Sequence, residues 1–192
     1  MEKLLSVAEQ ASGCVRCRLS ENRTQVVFGV GSPTSDLLFI GEGPGREEDL
    51  LGEPFVGRSG KLLDKLVSEE MGLDRSQFYI ANVVKCRPPN NRDPKPDEIA
   101  ACRPWLAQQL DLIDPKVVVT LGNFSTRVML ETTEGITRLR GRVHPVGNRH
   151  VVPTFHPSAA LRMGGEVVAK MRSDLIRAKQ VIGGDLLTGA ES

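Results

Sequence analysis

Apolar residues along this chain gather in short continuous runs separated by longer amphipathic stretches. Leu37-Leu38-Phe39-Ile40, Phe78-Tyr79-Ile80-Ala81, Val117-Val118-Val119 and Val151-Val152 leading to Phe155 are of strand length. They are continuous rather than alternating, as expected of strands covered on both faces. Between them the apolar positions recur at helical spacing. Leu62, Leu63, Leu66 and Val67 share one face, and Ile99, Cys102, Trp105, Leu106 and Leu110 share another. Phe124, Val128 and Met129 make a shorter stripe, and Val167, Val168, Met171 and Leu175 make the last. Strand–helix alternation of this kind predicts a parallel sheet with helices on both sides. The expected fold is α/β: a three-layer α/β/α sandwich around a central, mainly parallel four-stranded sheet. Residues 1–182 read as one domain, and the Gly-rich, weakly patterned segment 183–192 as a mobile tail.

The less ordinary residues fall at the carboxyl ends of these strands. Gly41-Glu42-Gly43-Pro44-Gly45 follows the first, Asn82 ends the second, Gly122-Asn123 ends the third and His156-Pro157-Ser158 follows the last. Open α/β sheets bind ligands at that edge. The glycine loop contains proline and lacks the G-x-x-x-x-G-K-[ST] pattern, so it is no Walker loop. Its glycines let backbone approach a ligand closely. A carboxamide in an otherwise apolar strand supplies a paired donor and acceptor that can read a base edge. The alternative for each residue is plain structure: a tight turn, a strand-end residue, a satisfied histidine.

Four cysteines, Cys14-x-x-Cys17, Cys86 and Cys102, make up the complement. A two-residue gap lets two thiolates grip one centre from a single loop, and the fold must supply the distant pair. Four thiolates suit a tetrahedral zinc ion or a four-iron, four-sulfur cluster, and spacing alone does not separate them. Unrelated thiols or two disulfides are the plainer readings.

Composition narrows the class. At 192 residues with a formal net charge of +1, the chain has no whole-molecule attraction to nucleic acid, so any grip on phosphate needs a local basic face. No apolar run approaches the ~20 residues that span a bilayer, and the start does not read as a signal peptide. A cytoplasmic protein with no membrane partner is the expectation.

Taken together, Gly41-Glu42-Gly43-Pro44-Gly45 with Glu47-Glu48-Asp49, Pro54-Phe55-Val56-Gly57-Arg58, Asn82-Val83-Val84-Lys85-Cys86-Arg87-Pro88-Pro89-Asn90-Asn91-Arg92 and His156-Pro157-Ser158 resemble the motifs of family 4 uracil-DNA glycosylases. These form the iron–sulfur-containing branch of the uracil-DNA glycosylase superfamily. The likeness runs in order from about residue 10 to about residue 180 and includes all four cysteines. It implies a monomeric, monofunctional enzyme of base excision repair. Such an enzyme flips deoxyuridine out of single- or double-stranded DNA and hydrolyses its N-glycosidic bond. It also implies one structural 4Fe-4S cluster on Cys14, Cys17, Cys86 and Cys102.

Roles follow from the same resemblance. Phe55 is the platform on which uracil stacks, Asn82 reads its N3 and O4 edge, and Glu48 crowds C5 against the methyl of thymine. His156 faces O2, where a donor stabilises the departing anion. Glu42 positions the attacking water, Gly41 and Gly43 shape the pocket with their backbone, and Asn91 matches a position implicated in activity. Arg58, Arg87, Arg140, Ser158, Leu161 and Arg162 are the expected DNA contacts. Of these, Arg87, Arg140 and Arg162 belong to basic segments around Arg16, Arg18, Lys85, Arg87, Arg92 and Lys95 and around Arg138, Arg140, Arg142, Arg149 and Arg162. Where relatives carry bulky residues after His-Pro-Ser, this chain has Ala159 and Ala160, which leaves Leu161 as the candidate wedge. Two other readings compete. A uracil trap that stays attached to DNA would need a histidine near the pocket loop, and none precedes His144. A zinc-stabilised nucleic-acid-binding module would leave Phe55, Asn82 and His156 without a task.

Overall fold

Six strands form one mixed sheet in the computed structural model, which describes residues 2–184. They are β1 (Val30–Gly31), β2 (Leu37–Gly41), β3 (Tyr79–Asn82), β4 (Val117–Leu121), β5 (His144–Val146) and β6 (Arg149–Thr154), in the spatial order β1-β3-β2-β4-β6-β5. The four strands read from the apolar runs are the central parallel ones, β3, β2, β4 and β6. The expectation of four strands is corrected to six by an antiparallel strand at each edge. These two escaped notice for a physical reason. β1 is two residues long, and β5 is a half-buried His-Pro-Val, so neither has an apolar run to display.

The helices are α1 (Glu2–Ser12), α2 (Arg46–Leu51), α3 (Arg58–Met71), α4 (Pro96–Ile113), α5 (Asn123–Leu130), α6 (Ile136–Leu139), α7 (Pro157–Met163) and α8 (Gly165–Gly183). All residues of β2, β3 and β4 are buried, which explains their continuous hydrophobicity. Alternate residues feed two cores. Leu38, Ile40, Tyr79, Ala81 and Val118 pack with Leu4, Val7, Trp105, Leu106 and Leu110 of α1 and α4. Leu37, Phe39, Ile80, Val117 and Val119 pack on the opposite face with Leu63, Leu66, Met171 and Leu175 of α3 and α8. Each such side chain taken out of water contributes about 1.5–3 kcal/mol, so the two cores dominate the stability. Pro153 of β6, which has no N–H to give, lies past Val151, the last β6 residue that β5 pairs with. α8 runs to Gly183 and is closed by Gly184 in the left-handed region; the remainder of the tail expected from residue 183 lies outside the described residues.

Candidate active site and thiol pocket

Parallel register sets the first contact of the site. Gly41 and Asn82 are cross-strand partners at the carboxyl ends of β2 and β3. A β-carbon on Gly41 would lie 2.4 Å from Asn82 Oδ1 and 2.5 Å from Phe55 Cζ. Both side chains therefore occupy the room that the missing side chain leaves, and Gly41 is required for that close approach. Asn82 is 1% exposed and its Oδ1 has no hydrogen-bond partner. A buried carbonyl oxygen without a donor is costly, about 1–3 kcal/mol, and its persistence marks a place where a ligand donor belongs.

Phe55 reaches this point through backbone strain. Its φ is 57°, in the left-handed region that a phenylalanine rarely adopts. Several groups hold it there. Glu48 Oε1 accepts from Val56 N at 3.1 Å and Gly57 N at 3.0 Å. The Arg75 guanidinium donates to the carbonyls of Pro54 and Phe55. Gly60 lets the Phe55 carbonyl approach so closely that a β-carbon there would sit 1.6 Å from its oxygen. One oxygen of Glu48, the expected guard against a 5-methyl group, is thus committed to shaping the Phe55 loop.

His156 follows β6 and caps α7. Its ring centroid is 5.7 Å from that of Phe55, with the planes inclined by 35°. Nδ1 accepts from Ser158 N at 3.1 Å and lies 2.8 Å from Ser158 Oγ. Burial, reinforced by the Arg162 cation and opposed by Glu48, holds the imidazole pKa down to about 4. The ring is therefore neutral at physiological pH. Because Nδ1 accepts a backbone N–H, the ring proton sits on Nε2, which becomes the donor. Ser158, one of the expected DNA contacts, fixes the tautomer of His156. The signal was present in the sequence: a serine two residues after a helix-capping residue has the spacing for such a bond.

Glu42, directly after Gly41, is half-buried, and burial with the Asp93 carboxylate nearby raises its pKa to about 7. Asn91 is placed differently from its expected role. It ends the short turn Pro89–Asn91, is exposed, and its Oδ1 accepts from Arg87 Nε at 2.7 Å. Gly43 backs onto Val84, whose Cγ2 would be 2.7 Å from a β-carbon there.

The expected DNA contacts divide. Arg58, Leu161 and Arg162 are exposed, Leu161 at 43%. Arg140 is not available: its guanidinium forks onto the fully buried Asp174 at 2.7 and 2.9 Å and donates to the Lys170 carbonyl. Three other members of the basic segments are likewise committed to partners within the fold. Lys85 is 1% exposed, Arg92 binds the buried Glu98, and Arg149 binds Asp114 and the Leu110 carbonyl.

The four cysteines meet on the other face of the sheet. Cys14, Cys17, Cys86 and Cys102 line one pocket, with Arg16, Arg23, Lys85 and Trp105 around them. None is in a disulfide. Donors are already aimed at three sulfurs: Lys85 N at Cys102 Sγ (3.2 Å), Trp105 Nε1 at Cys14 Sγ (3.4 Å) and Arg23 Nη1 at Cys86 Sγ (3.5 Å). Burial pushes the Cys86 thiol up to about 11 and raises that of Cys102, so both favour the protonated form. The sulfurs surround a common space, but among the described residues no three metal-binding side chains converge on a point suited to one ion.

Fold and site together define a class, and comparison with known families agrees: this chain belongs to the uracil DNA glycosylase superfamily, whose model matches residues 28–178. Within it the chain is similar to type-4 uracil-DNA glycosylases. That of Sulfurisphaera tokodaii is 46% identical over 169 residues, covering 84% of this chain and 77% of the relative. That of Thermotoga maritima is 45% identical over 179 residues, covering 92% and 93%. A type-5 uracil-DNA glycosylase of Thermus thermophilus is 30% identical over 182 residues, covering 82% and 80%. Among the described residues no helix is long and apolar enough to cross a membrane.

Proposed function

We propose that this protein is a monofunctional uracil-DNA glycosylase that releases uracil from DNA and leaves an abasic site for repair, in either single- or double-stranded substrate. One observation carries the reading: a buried carboxamide oxygen with no partner, bordered by Gly41 and the Phe55 ring, with the His156 ring beside Phe55. Uracil supplies what that oxygen lacks. Its N3–H donates to Asn82 Oδ1, and its O4 accepts from Asn82 Nδ2. Cytosine has no proton on N3 and an amino group at C4, so both pairings fail, and an unmade pairing in a dry pocket discriminates strongly.

The flipped base stacks on Phe55, a contact worth ~1–3 kcal/mol. Asn82 is almost fully covered, so the incoming base displaces what lies over the carboxamide. As the C1′–N1 bond breaks, its electron pair leaves with the base and charge accumulates on O2. His156 Nε2–H donates to that oxygen. A neutral donor holds the anion without surrendering its proton, and the arrangement exists before the reaction begins. Water attacks C1′ from the other side of the sugar, oriented by the Glu42 carboxylate, which takes its proton and opposes the cationic sugar. Glu48 and the backbone of Gly43 close the pocket around C5 and the water. Asn91 acts through its hydrogen bond to Arg87. Leu161 on α7 enters the gap left by the base, while Arg58, Arg87 and Arg162 meet phosphates.

Cys14, Cys17, Cys86 and Cys102 would hold one 4Fe-4S cluster. When bound it supplies a covalent tie between the N-terminal segment, the loop after β3 and α4, and no proton or electron of the hydrolysis passes through it. The protein acts as a monomer inside the cell. The test is direct: incubate the protein with a labelled oligonucleotide containing one uracil, then cleave abasic sites with alkali. Strand scission at uracil but not at cytosine or thymine is expected; intact strands would refute the proposal.

A further inference from the structure

Lys85 has no task in the mechanism above, yet it is among the most enclosed polar side chains of the molecule, 1% exposed. Its Nζ donates to the backbone carbonyl of Asn82 at 2.7 Å and to Gln109 Oε1. Its backbone N–H donates to Cys102 Sγ at 3.2 Å. Gln109 is fully buried in α4 and anchored in turn, its Nε2 donating to the Phe28 carbonyl at 2.9 Å. One residue therefore touches both sites: its main chain holds a cysteine on the thiol side of the sheet, and its side chain holds the residue that reads the base on the other.

We infer that Lys85 is a positioning residue for Asn82, tying the orientation of the base-reading carboxamide to the thiol pocket. The inference rests on the uracil reading of Asn82. The physical case is one of restraint. Asn82 ends β3, and beyond it only Val83 and Val84 separate it from Lys85. Their amides continue the pairing onto the Gly41 and Glu42 carbonyls. The Asn82 carbonyl points the other way, to the Lys85 side chain, and that bond fixes the peptide plane from which the carboxamide rises. Asn82 Oδ1 meets no donor that would orient it, so backbone restraint takes that part before a base arrives. A buried amino group on a flexible four-carbon stem is kept only where every partner is in place. Here those partners are an α4 glutamine and the carbonyl of the reader.

Lys85→Met keeps the stem and removes the donor. The readouts are iron content and visible absorbance, inhibition of excision by free uracil, and excision itself, in the wild type, Lys85→Met, Asn82→Ala and the double variant. Expected are retained iron and absorbance, uracil inhibition weakened about 10- to 100-fold, as a misplaced binding group produces, and a double variant no worse than Asn82→Ala alone. Any of three results overturns the inference. One is unchanged uracil inhibition with the iron retained. The others are iron lost in step with binding and additive effects with Asn82→Ala, either of which makes Lys85 a structural residue only. If Lys85→Met does not yield folded protein, Gln109→Leu, which removes the acceptor and spares every sulfur and the amino group, is read by the same criteria. A wild type that neither excises uracil nor is inhibited by it refutes the uracil reading itself. A wild type that does both, with Asn82→Ala impaired and Lys85→Met matching wild type, refutes only the part assigned to Lys85.

Discussion

The rings of Phe55 and His156 stand 5.7 Å apart at 35° to one another, although they come from the loop before α3 and the turn after β6. Phe55 is held there in a strained conformation by Glu48, Arg75 and Gly60, and His156 by Ser158. An apolar plate and a neutral donor are thus set beside a carboxamide before any ligand arrives. Preorganisation of this kind lets a donor act on a developing anion without reorganising during the reaction.

The His156 donor is expected to carry a large part of the rate. His156→Ala should slow uracil release ~10²–10³-fold with DNA affinity little changed, checked by single-turnover excision beside a binding titration. Its depressed pKa also has a stability consequence. The unfolded chain takes up a proton near the ordinary 6.5, the folded one only near 4. The contribution of His156 is therefore fully present above about 6.5 and is lost as pH falls towards 4. The difference in denaturation midpoint between wild type and His156→Gln should show that slope across this window.

Asn82→Asp replaces the donor that meets uracil O4 by an oxygen. Uracil excision should fall by more than ~10²-fold, and discrimination against cytosine should shrink, since cytosine offers an amino group to the new acceptor. Parallel assays on uracil- and cytosine-containing strands check this. Unchanged discrimination would remove Asn82 from the reading role.

Glu42 must be ionised to take a proton from water, and its pKa is raised to about 7, first by burial and then by Asp93. The acid limb of kcat/KM should therefore bend near pH 7, with activity rising as pH rises through it. Asp93→Asn removes the repelling charge and should move that limb to lower pH. A limb that stays in place would mean another group controls it.

Removing the metal should loosen the molecule rather than stop chemistry at a single step. Cys102→Ser, or iron chelation, should lower the melting temperature and expose the segment around Cys14 to proteases, because the thiol pocket joins that segment to α4. A brown preparation absorbing near 400 nm is expected; equimolar zinc and no colour would count against a cluster.

Arg140→Gln distinguishes a structural arginine from a DNA contact. It leaves the carboxylate of the buried Asp174 unpaired, so stability should drop by about 3–5 kcal/mol, while DNA affinity should hold. Arg162→Ala should do the reverse, weakening DNA binding and its salt dependence with little effect on melting.

What the amino-acid order determined by itself was the set of elements that hydrophobicity writes locally. The four central strands were legible because strands buried on both faces must be apolar throughout, and four helices because one face of each is. The residues at the carboxyl ends stood out because Asn82 and His156 are polar where their surroundings are not. Tertiary structure alone decided the rest, because it depends on which distant groups come to share a space. Arg140, Lys85, Arg92 and Arg149 look like free surface charge in the sequence and are committed within the fold, since each has a partner brought to it by another element. Ser158 became the partner of His156, Glu48 the brace of Phe55, and Asp93 the neighbour of Glu42. Periodicity reports how often a residue meets the core; only the folded chain says which polar atom faces which.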